Sequence, residues 1–406
     1  VAAVCAVITT LTLFAGQVTP AHAAWSARAD VSDGPIDVLG IGSSSLQYAI
    51  DFVANGDPTS AIGYNGAFNA YRVEGLDATA DSNGRGSWAY GSTPTSPSWL
   101  YPSSIYREQA VPIQRTDGSD AATAALLSAG TAFRYFNFIT TTDLTAADVT
   151  ALDSALGGTP SLEVFKFGTV HLGMIGATAT NAPAGLSVNE LADIYDCADT
   201  TWSSLGATGS NASDTIIPIM PPTWSDETFL HDLQAVSGFT GLGPCVRYAQ
   251  ENDPTAITSC TPSCSANAIE PMSSAIWDLW FGLSGNSSYG SGLATGTGSG
   301  HGYFEDPTAD YPGGSAITPG VKQLNGTPID GNPVYNQAHN ADIVYPISDQ
   351  NSATTWQPGE SAGLNWARTL FCKSVSTDPV YFQTAPAWNL LADAGVDPSS
   401  QSCTQQ

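Results

Sequence analysis

Positive charge is scarce in this chain. Lys and Arg together number 11 against 37 Asp and Glu, a formal net charge of −26 over 406 residues. A surface so short of cations repels phosphate backbones and anionic lipid at long range, which argues against nucleic-acid and membrane-surface binding. Charge of either sign is thin, because only 12% of residues carry it, about half the usual share of roughly 25%. Long hydrophobic runs are missing after residue 23, so no later segment approaches membrane length. No Cys-x-x-Cys pair or Cys/His cluster of zinc spacing occurs, and the histidines fall in neither a His-Glu-x-x-His motif nor a Gly-x-Ser-x-Gly setting. No metal site, cofactor or catalytic residue is expected, and the chain reads as a non-enzyme.

What is present points to a folded, turn-rich protein. Hydrophobic residues make up 42% and aromatics 10%, enough core material to exclude wholesale disorder. Glycines number 40 and prolines 26, so turns are frequent. The length suits two domains better than one core.

The first 23 residues contain no Asp, Glu, Lys or Arg. A short apolar run from Val4 to Ala15 leads through Pro20 to Ala21-His22-Ala23, the small-x-small pattern of a signal-peptidase site. Residues 1–23 are expected to be a signal peptide, and the mature chain a secreted protein, extracellular or at the cell surface. Cys5 lies too far from that cleavage site to become a lipid-bearing first residue. The mature chain then keeps Cys197, Cys245, Cys260, Cys264, Cys372 and Cys403. An even set in an oxidising compartment reads as disulfides, for which six cysteines allow 15 connectivities. Proximity favours Cys260–Cys264 and Cys372–Cys403, which leaves Cys197–Cys245.

A recurring grammar runs along the chain: a short apolar segment, a hydroxyl-rich turn, then a helix start. Ile36 to Ile41 reads as a buried strand, Gly42-Ser43-Ser44-Ser45 as a turn, and Leu46, Ala49, Ile50 and Val53 fall at helical spacing. Ala110 to Ile113, the Asp117–Asp120 turn and a helix ending at Gly130 repeat the pattern. Thr145 with Asp148, and Ser187 with Glu190, form capping boxes. Ile216 to Met220 is a further strand, with Phe229, Leu230 and Leu233 on the helix that follows. Strands alternating with helices predict a parallel α/β architecture. Ser82 to Ser104 and the seven-glycine stretch from Phe281 to Gly300 interrupt it as loop or linker.

Three of the strand–turn–helix junctions are dense in hydroxyls: Ser43 to Ser45, Gly118 to Asp120, and Thr223 to Thr228. A helix start presents unpaired N–H groups and partial positive charge, so it can hold an anion or a polar ligand without Lys or Arg. The same residues are also ordinary helix caps. Convergence in space separates the two readings, because ligands in open α/β sheets bind outside the carboxyl ends of the strands.

The chain resembles the actinobacterial secreted relatives of the phosphate-binding protein, the extracytoplasmic component of a phosphate importer. The resemblance rests on Val38-Leu-Gly-Ile-Gly-Ser-Ser-Ser-Leu-Gln-Tyr48, Ile113-Gln-Arg-Thr-Asp-Gly-Ser119 and Asn181-Ala-Pro-Ala-Gly-Leu-Ser187. It continues through Leu191-Ala-Asp-Ile-Tyr-Asp-Cys197, Gln250-Glu-Asn-Asp253, Asn267-Ala-Ile-Glu-Pro271 and Asn332-Pro-Val-Tyr-Asn336, in family order. It implies a two-lobed periplasmic-binding-protein type II fold, with α/β lobes joined by crossover hinge segments. One lobe would comprise residues 35–175 plus 335–406 and the other 176–334. It further implies a small solute held between the lobes, phosphate or another oxyanion, and an ABC importer as partner.

Carried over residue by residue, the ligand loops fall on Ser43, Ser44 and Ser45; on Arg115, Gly118 and Ser119; on Thr140, Thr141, Thr142 and Asp143; and on Ser225, Asp226 and Thr228. The last loop departs from the family pattern, a Ser-Gly-Ser-Gly-Thr-Arg run. Here Pro221-Pro-Thr-Trp-Ser-Asp-Glu-Thr228 has no Gly, no Arg and two carboxylates. Beside a buried phosphate, Asp226 and Glu227 would cost several kcal/mol unless protonated or paired. The alternative role is a cell-surface, filament or adhesion subunit that self-assembles on the same fold with its ligand site degraded.

Overall fold

The computed structural model describes residues 37–55, 63–64, 72–75, 103–106, 111–114, 118–130, 136–158, 160–249, 251–252, 254–258, 260, 265–281, 320–347, 370–371 and 381–405. The expected leader at 1–23, Arg115, Cys264, Cys372, the glycine-rich 282–300 and most of 82–104 lie outside the described residues.

One mixed sheet organises the chain. Its strands are β1 (Asp37–Gly42), β2 (Arg72–Gly75), β5 (Phe138–Thr141), β6 (Leu162–Ala177), β7 (Ile217–Met220), β8 (Arg247–Tyr248), β9 (Ala268–Ser273), β10 (Val321–Gln323), β11 (Asn336–Pro346) and β12 (Ser402–Gln405). The order is β2-β1-β5-β11-β6-β9-β7-β8, with β10 and β12 also paired to β6. β3 (Ser103–Tyr106) and β4 (Val111–Gln114) form a separate antiparallel pair. The α/β class expected from the sequence is present. The expected parallel sheet is corrected: β1 runs parallel to β2 and β5, and β7 to β8 and β9, but β6 and β11 are antiparallel to each other.

This mixture positions the site. β11 is antiparallel to both β5 and β6, and β9 is antiparallel to β6. β1 and β5 therefore run in the direction opposite to β7, β8 and β9. The carboxyl ends of the two strand groups face each other across the middle of β6 and β11. A register slip between Ala341 and Asp342 marks that level of the long pair.

The apolar residues sort into three clusters that explain the layering. Val38, Phe138, Phe165, Phe167, Ile175, Ile219, Met272 and Ile343 share one continuous core. On the opposite face, Ile41, Ile139, Leu162 and Val344 pack with Leu126 and Leu152 at the β1–β5 end. Leu172, Met174, Met220 and Ile269 pack with Leu191, Tyr195, Trp202 and Phe229 at the β7–β9 end. Neighbouring residues such as Phe138 and Ile139, or Ile219 and Met220, point to opposite faces because strand side chains alternate. Edge-to-face pairs of Phe371 with Phe382 (5.0 Å) and with Phe138 (5.2 Å) reinforce the continuous core, each worth about 0.5–1.5 kcal/mol beyond burial.

Helices start and stop where their caps dictate. α1 (Gln47–Asn55) follows the serine turn, and α2 (Ser119–Ala129) begins after Gly118 and stops at Gly130. α3 (Ala146–Leu156) opens on the Thr145–Asp148 box, and α4 (Val188–Tyr195) on the Ser187–Glu190 box, both with their reciprocal hydrogen bonds. α5 (Thr228–Gln234) follows β7 and buries Phe229, Leu230 and Leu233. Among the described residues the remaining α-helices are α6 (Thr255–Thr258), α7 (Ser274–Phe281) and α8 (Ala385–Asp393). No described helix is long and apolar enough to cross a membrane. The Cys197–Cys245 disulfide expected by elimination is formed. Cys260 and Cys403 are also disulfide-bonded.

Candidate functional site

The junctions after β1 and β5 and before α2 are stitched into one surface. Ser43 N donates to Thr140 O (3.0 Å), and Gly118 N donates to Gly42 O (3.2 Å). Ser119 Oγ accepts from Thr142 N (3.0 Å) and shares a hydrogen bond with Thr142 Oγ1 (2.9 Å). Thr142 Oγ1 in turn shares one with Thr228 Oγ1 at the start of α5 (3.0 Å). The loop between β7 and α5 seats on the start of α2: Asp120 N and Ala121 N donate to Ser225 O at 3.0 and 3.2 Å. Gly118 is required there. Its φ is +101°, and a Cβ would overlap the Ser225 carbonyl.

Asp226 is the centre of this seat. Its Oδ2 accepts from Ser119 N (3.3 Å) and its Oδ1 from Thr228 N (2.9 Å), so one buried carboxylate satisfies N–H groups at two helix starts. Asp226 thus takes the donors an oxyanion would use. The desolvation problem raised by its sequence is met by pairing with backbone.

The neighbouring acids are crowded. Asp120 Oδ2 accepts from Glu227 N (2.6 Å), yet burial, followed by the Asp226 charge, holds the Asp120 carboxyl well above the usual range. Asp143 is pushed up to about 6 by burial, against the opposing pull of His231. His231 Nδ1 lies 2.6 Å from Asp143 Oδ2, and its Nε2 lies 3.5 Å from Glu227 Oε2.

A second network closes the other wall. Asn252 Nδ2 reaches Ser44 Oγ (3.0 Å), Ser45 Oγ (3.1 Å) and Glu251 Oε1 (2.9 Å). Ser45 Oγ also donates to Glu251 Oε1 (2.8 Å), while Asn252 Oδ1 accepts from Ser273 N (2.7 Å). Asn252 adopts φ +57°, a left-handed conformation that Asn tolerates well. Between the walls lies a narrow cleft of about 20 Å³. Ser45, Thr142, Asp226, Thr228, Glu251 and Ser273 line it on the polar side, with Val170, Leu172 and Phe229 on the apolar side and His339 beside them. His339 Nε2 is tied to Asp232 Oδ2 (3.0 Å), which also accepts from Tyr335 OH (2.6 Å).

The sequence-derived residues are thus gathered unevenly. Ser45, Thr142, Asp226 and Thr228 line the cleft. Ser43, Ser44, Gly118, Ser119 and Ser225 form its immediate frame. Thr140 and Thr141 are buried in the turn instead, Thr141 Oγ1 accepting from Asp143 N (3.0 Å), and Asp143 is engaged with His231. Glu251, Asn252, Ser273, His231 and His339 were not singled out as site residues by sequence reasoning, and Asp120 only as the end of a candidate turn. A signal for two of them existed: Glu251 and Asn252 are adjacent polar residues a few positions beyond β8, inside a segment already quoted for the resemblance.

No protein-family model and no curated protein matches the chain. Among solved structures it is similar to a putative phosphate ABC transporter substrate-binding protein with bound phosphate from Clostridium perfringens. That match has 13% identity and a TM-score of 0.47, covering 89% of this chain and 98% of the other. It is also similar to an ABC-type phosphate transport receptor from Vibrio cholerae, at 12% identity and a TM-score of 0.46, covering 89% and 99%. PstS from Borrelia burgdorferi matches at 12% identity and a TM-score of 0.35, covering 78% and 93%. The chemistry of the cleft is set by its own side chains.

Proposed function

We propose that this protein is a non-enzymatic, extracytoplasmic solute-binding protein that encloses one small polar solute between two lobes. One observation carries the reading. Two groups of strands run toward each other, and the hydroxyl-bearing turns at their carboxyl ends share a single cleft. In this reading residues 35–175 plus 335–406 form one lobe and 176–334 the other, with β6 and β11 as the crossover segments. The partner is the membrane component of an ABC importer. Phosphate is the solute bound in the similar Clostridium perfringens structure. In this chain Asp226 competes for the N–H groups that such an anion needs.

Thermal unfolding of the mature chain across a solute panel that includes phosphate, sugars, amino acids and amines tests the reading. A true ligand stabilises by about 2.7 kcal/mol at roughly 100 times its Kd. A panel that leaves the transition unmoved throughout would remove solute binding as the function.

A further inference from the structure

We infer that the loop after β7 is a latch: residues Ser225 to Thr228 hold the cleft shut without a solute, and a solute enters only when this loop lifts from the start of α2. The inference rests on the two-lobed solute-binding reading and adds the state from which binding starts.

The contacts are direct and join segments far apart in the chain. Ser119 N donates to Asp226 Oδ2 (3.3 Å), and Asp120 N and Ala121 N donate to Ser225 O at 3.0 and 3.2 Å. Glu227 N donates back to Asp120 Oδ2 (2.6 Å), and Thr228 Oγ1 shares a hydrogen bond with Thr142 Oγ1 (3.0 Å). Four consecutive residues are thus each tied to the first strand group. At the other wall, Asn252 Nδ2 reaches Ser44 Oγ and Ser45 Oγ. A receptor closed around a solute uses that solute to bridge its two sides; here the two sides bridge each other. The cleft that remains is about 20 Å³, room for about one water molecule and not for a solute of several heavy atoms.

The seam is polar, and that is what lets it part. The apolar residues flanking these turns in sequence fall in different clusters, Ile41 and Ile139 in one and Met220 and Phe229 in another. Hydrogen bonds broken on opening are replaced by bonds to water at small net cost, whereas parting a shared apolar core is not offset in this way. Closure also carries a penalty of its own. Ser273 Oγ lines the cleft, is fully buried and has no hydrogen-bond partner. An opened cleft gives that hydroxyl water or solute to bond, so closed and open states lie near each other in free energy.

Hydrogen exchange read by mass spectrometry, on the full mature chain at pH 7.5 without solute, tests the latch together with small-angle X-ray scattering. Asp226→Ala and Thr228→Val break it at two separate points. In Asp226→Ala the amides of Ser119, Asp120 and Ala121 should exchange about tenfold or more faster than in wild type, the factor expected for one lost buried hydrogen bond. Amides of the β6–β11 ladder should keep their wild-type rates, and the radius of gyration should rise. Thr228→Val should show the same pattern more weakly, as should Asp226→Asn, which keeps one acceptor oxygen. Should Asp226→Ala fail to fold, the other two variants decide. Wild-type exchange at the three amides in the folded variants overturns the latch. Acceleration spread equally over the ladder overturns it too, because the loop is then an ordinary part of the core. Faster local exchange at an unchanged radius of gyration also overturns it, because the loop then frays without opening the cleft. None of these results involves a solute, so all leave the solute-binding reading standing; that reading falls only with a silent solute panel.

Discussion

Asp226 Oδ2 accepts the Ser119 backbone N–H at 3.3 Å, and the two residues are 107 positions apart in the chain. The contact joins the loop after β7 to the start of α2, and so links the two strand groups through a side chain rather than through the sheet. Replacing Asp226 with Ala strips N–H groups at two helix starts of their acceptor. A loss of about 1–2 kcal/mol is expected from urea unfolding at pH 7.5, in the range of other removed caps.

Gly118 carries the same junction in its backbone. Gly118→Ala forces a side chain into φ +101° and against the Ser225 carbonyl. A destabilisation of about 1–3 kcal/mol is expected, with faster hydrogen exchange at Asp120 and Ala121, whose amides donate to that carbonyl. Exchange rates equal to wild type would show that the loop seats elsewhere.

Asp342 gives a pH prediction with a definite sign. Burial raises its carboxyl from 3.8 to about 6, despite the opposing Lys166 charge, and Oδ1 has no hydrogen-bond partner. The folded state therefore holds the proton more tightly than the unfolded state. The resulting penalty is absent below about pH 4 and fully developed above about pH 6. Asp342→Asn should raise stability at pH 7.5 and change it little at pH 4. Chemical unfolding across that range is the measurement, and an equal effect at both ends would contradict the assignment.

Asp143 shifts in the same direction, with burial the larger cause and His231 opposing it. His231→Ala removes the opposing charge and the 2.6 Å contact, so the Asp143 carboxyl should titrate above about 6 in that variant. Carbon-13 NMR of the Asp side chains reads this directly. A downward displacement would mean that the imidazole is not the stabilising partner.

The Cys197–Cys245 bridge closes a 48-residue separation that contains β7 and α5. Replacing both cysteines with Ser should cost up to about 4 kcal/mol by the loop-entropy estimate. Differential scanning calorimetry of the double variant checks it.

The local parts of this fold were legible because their signals are local. The β1–turn–α1 unit, the Gly130 stop, and the Thr145 and Ser187 boxes are all written within a few residues. β6 was not legible. Its 16 residues are buried almost throughout, so no clean alternation marks it as a strand that serves two cores. The antiparallel turn-back of β11 depends on partners about 170 positions away. Asp226 stood out as a misplaced charge in its loop, but a donor it accepts from, Ser119 N, is far off in sequence. Ser273 gave no sign at all: a serine ending an apolar strand looks like any turn residue until Asn252 takes its N–H.

The extra residue Phe167 in β6, opposite the step from Ala341 to Asp342, gains its meaning from where the cleft lies. A bulge bends its strand and sharpens the local twist. The two walls are therefore mounted on a continuous ribbon with one built-in crease, not on slack connectors.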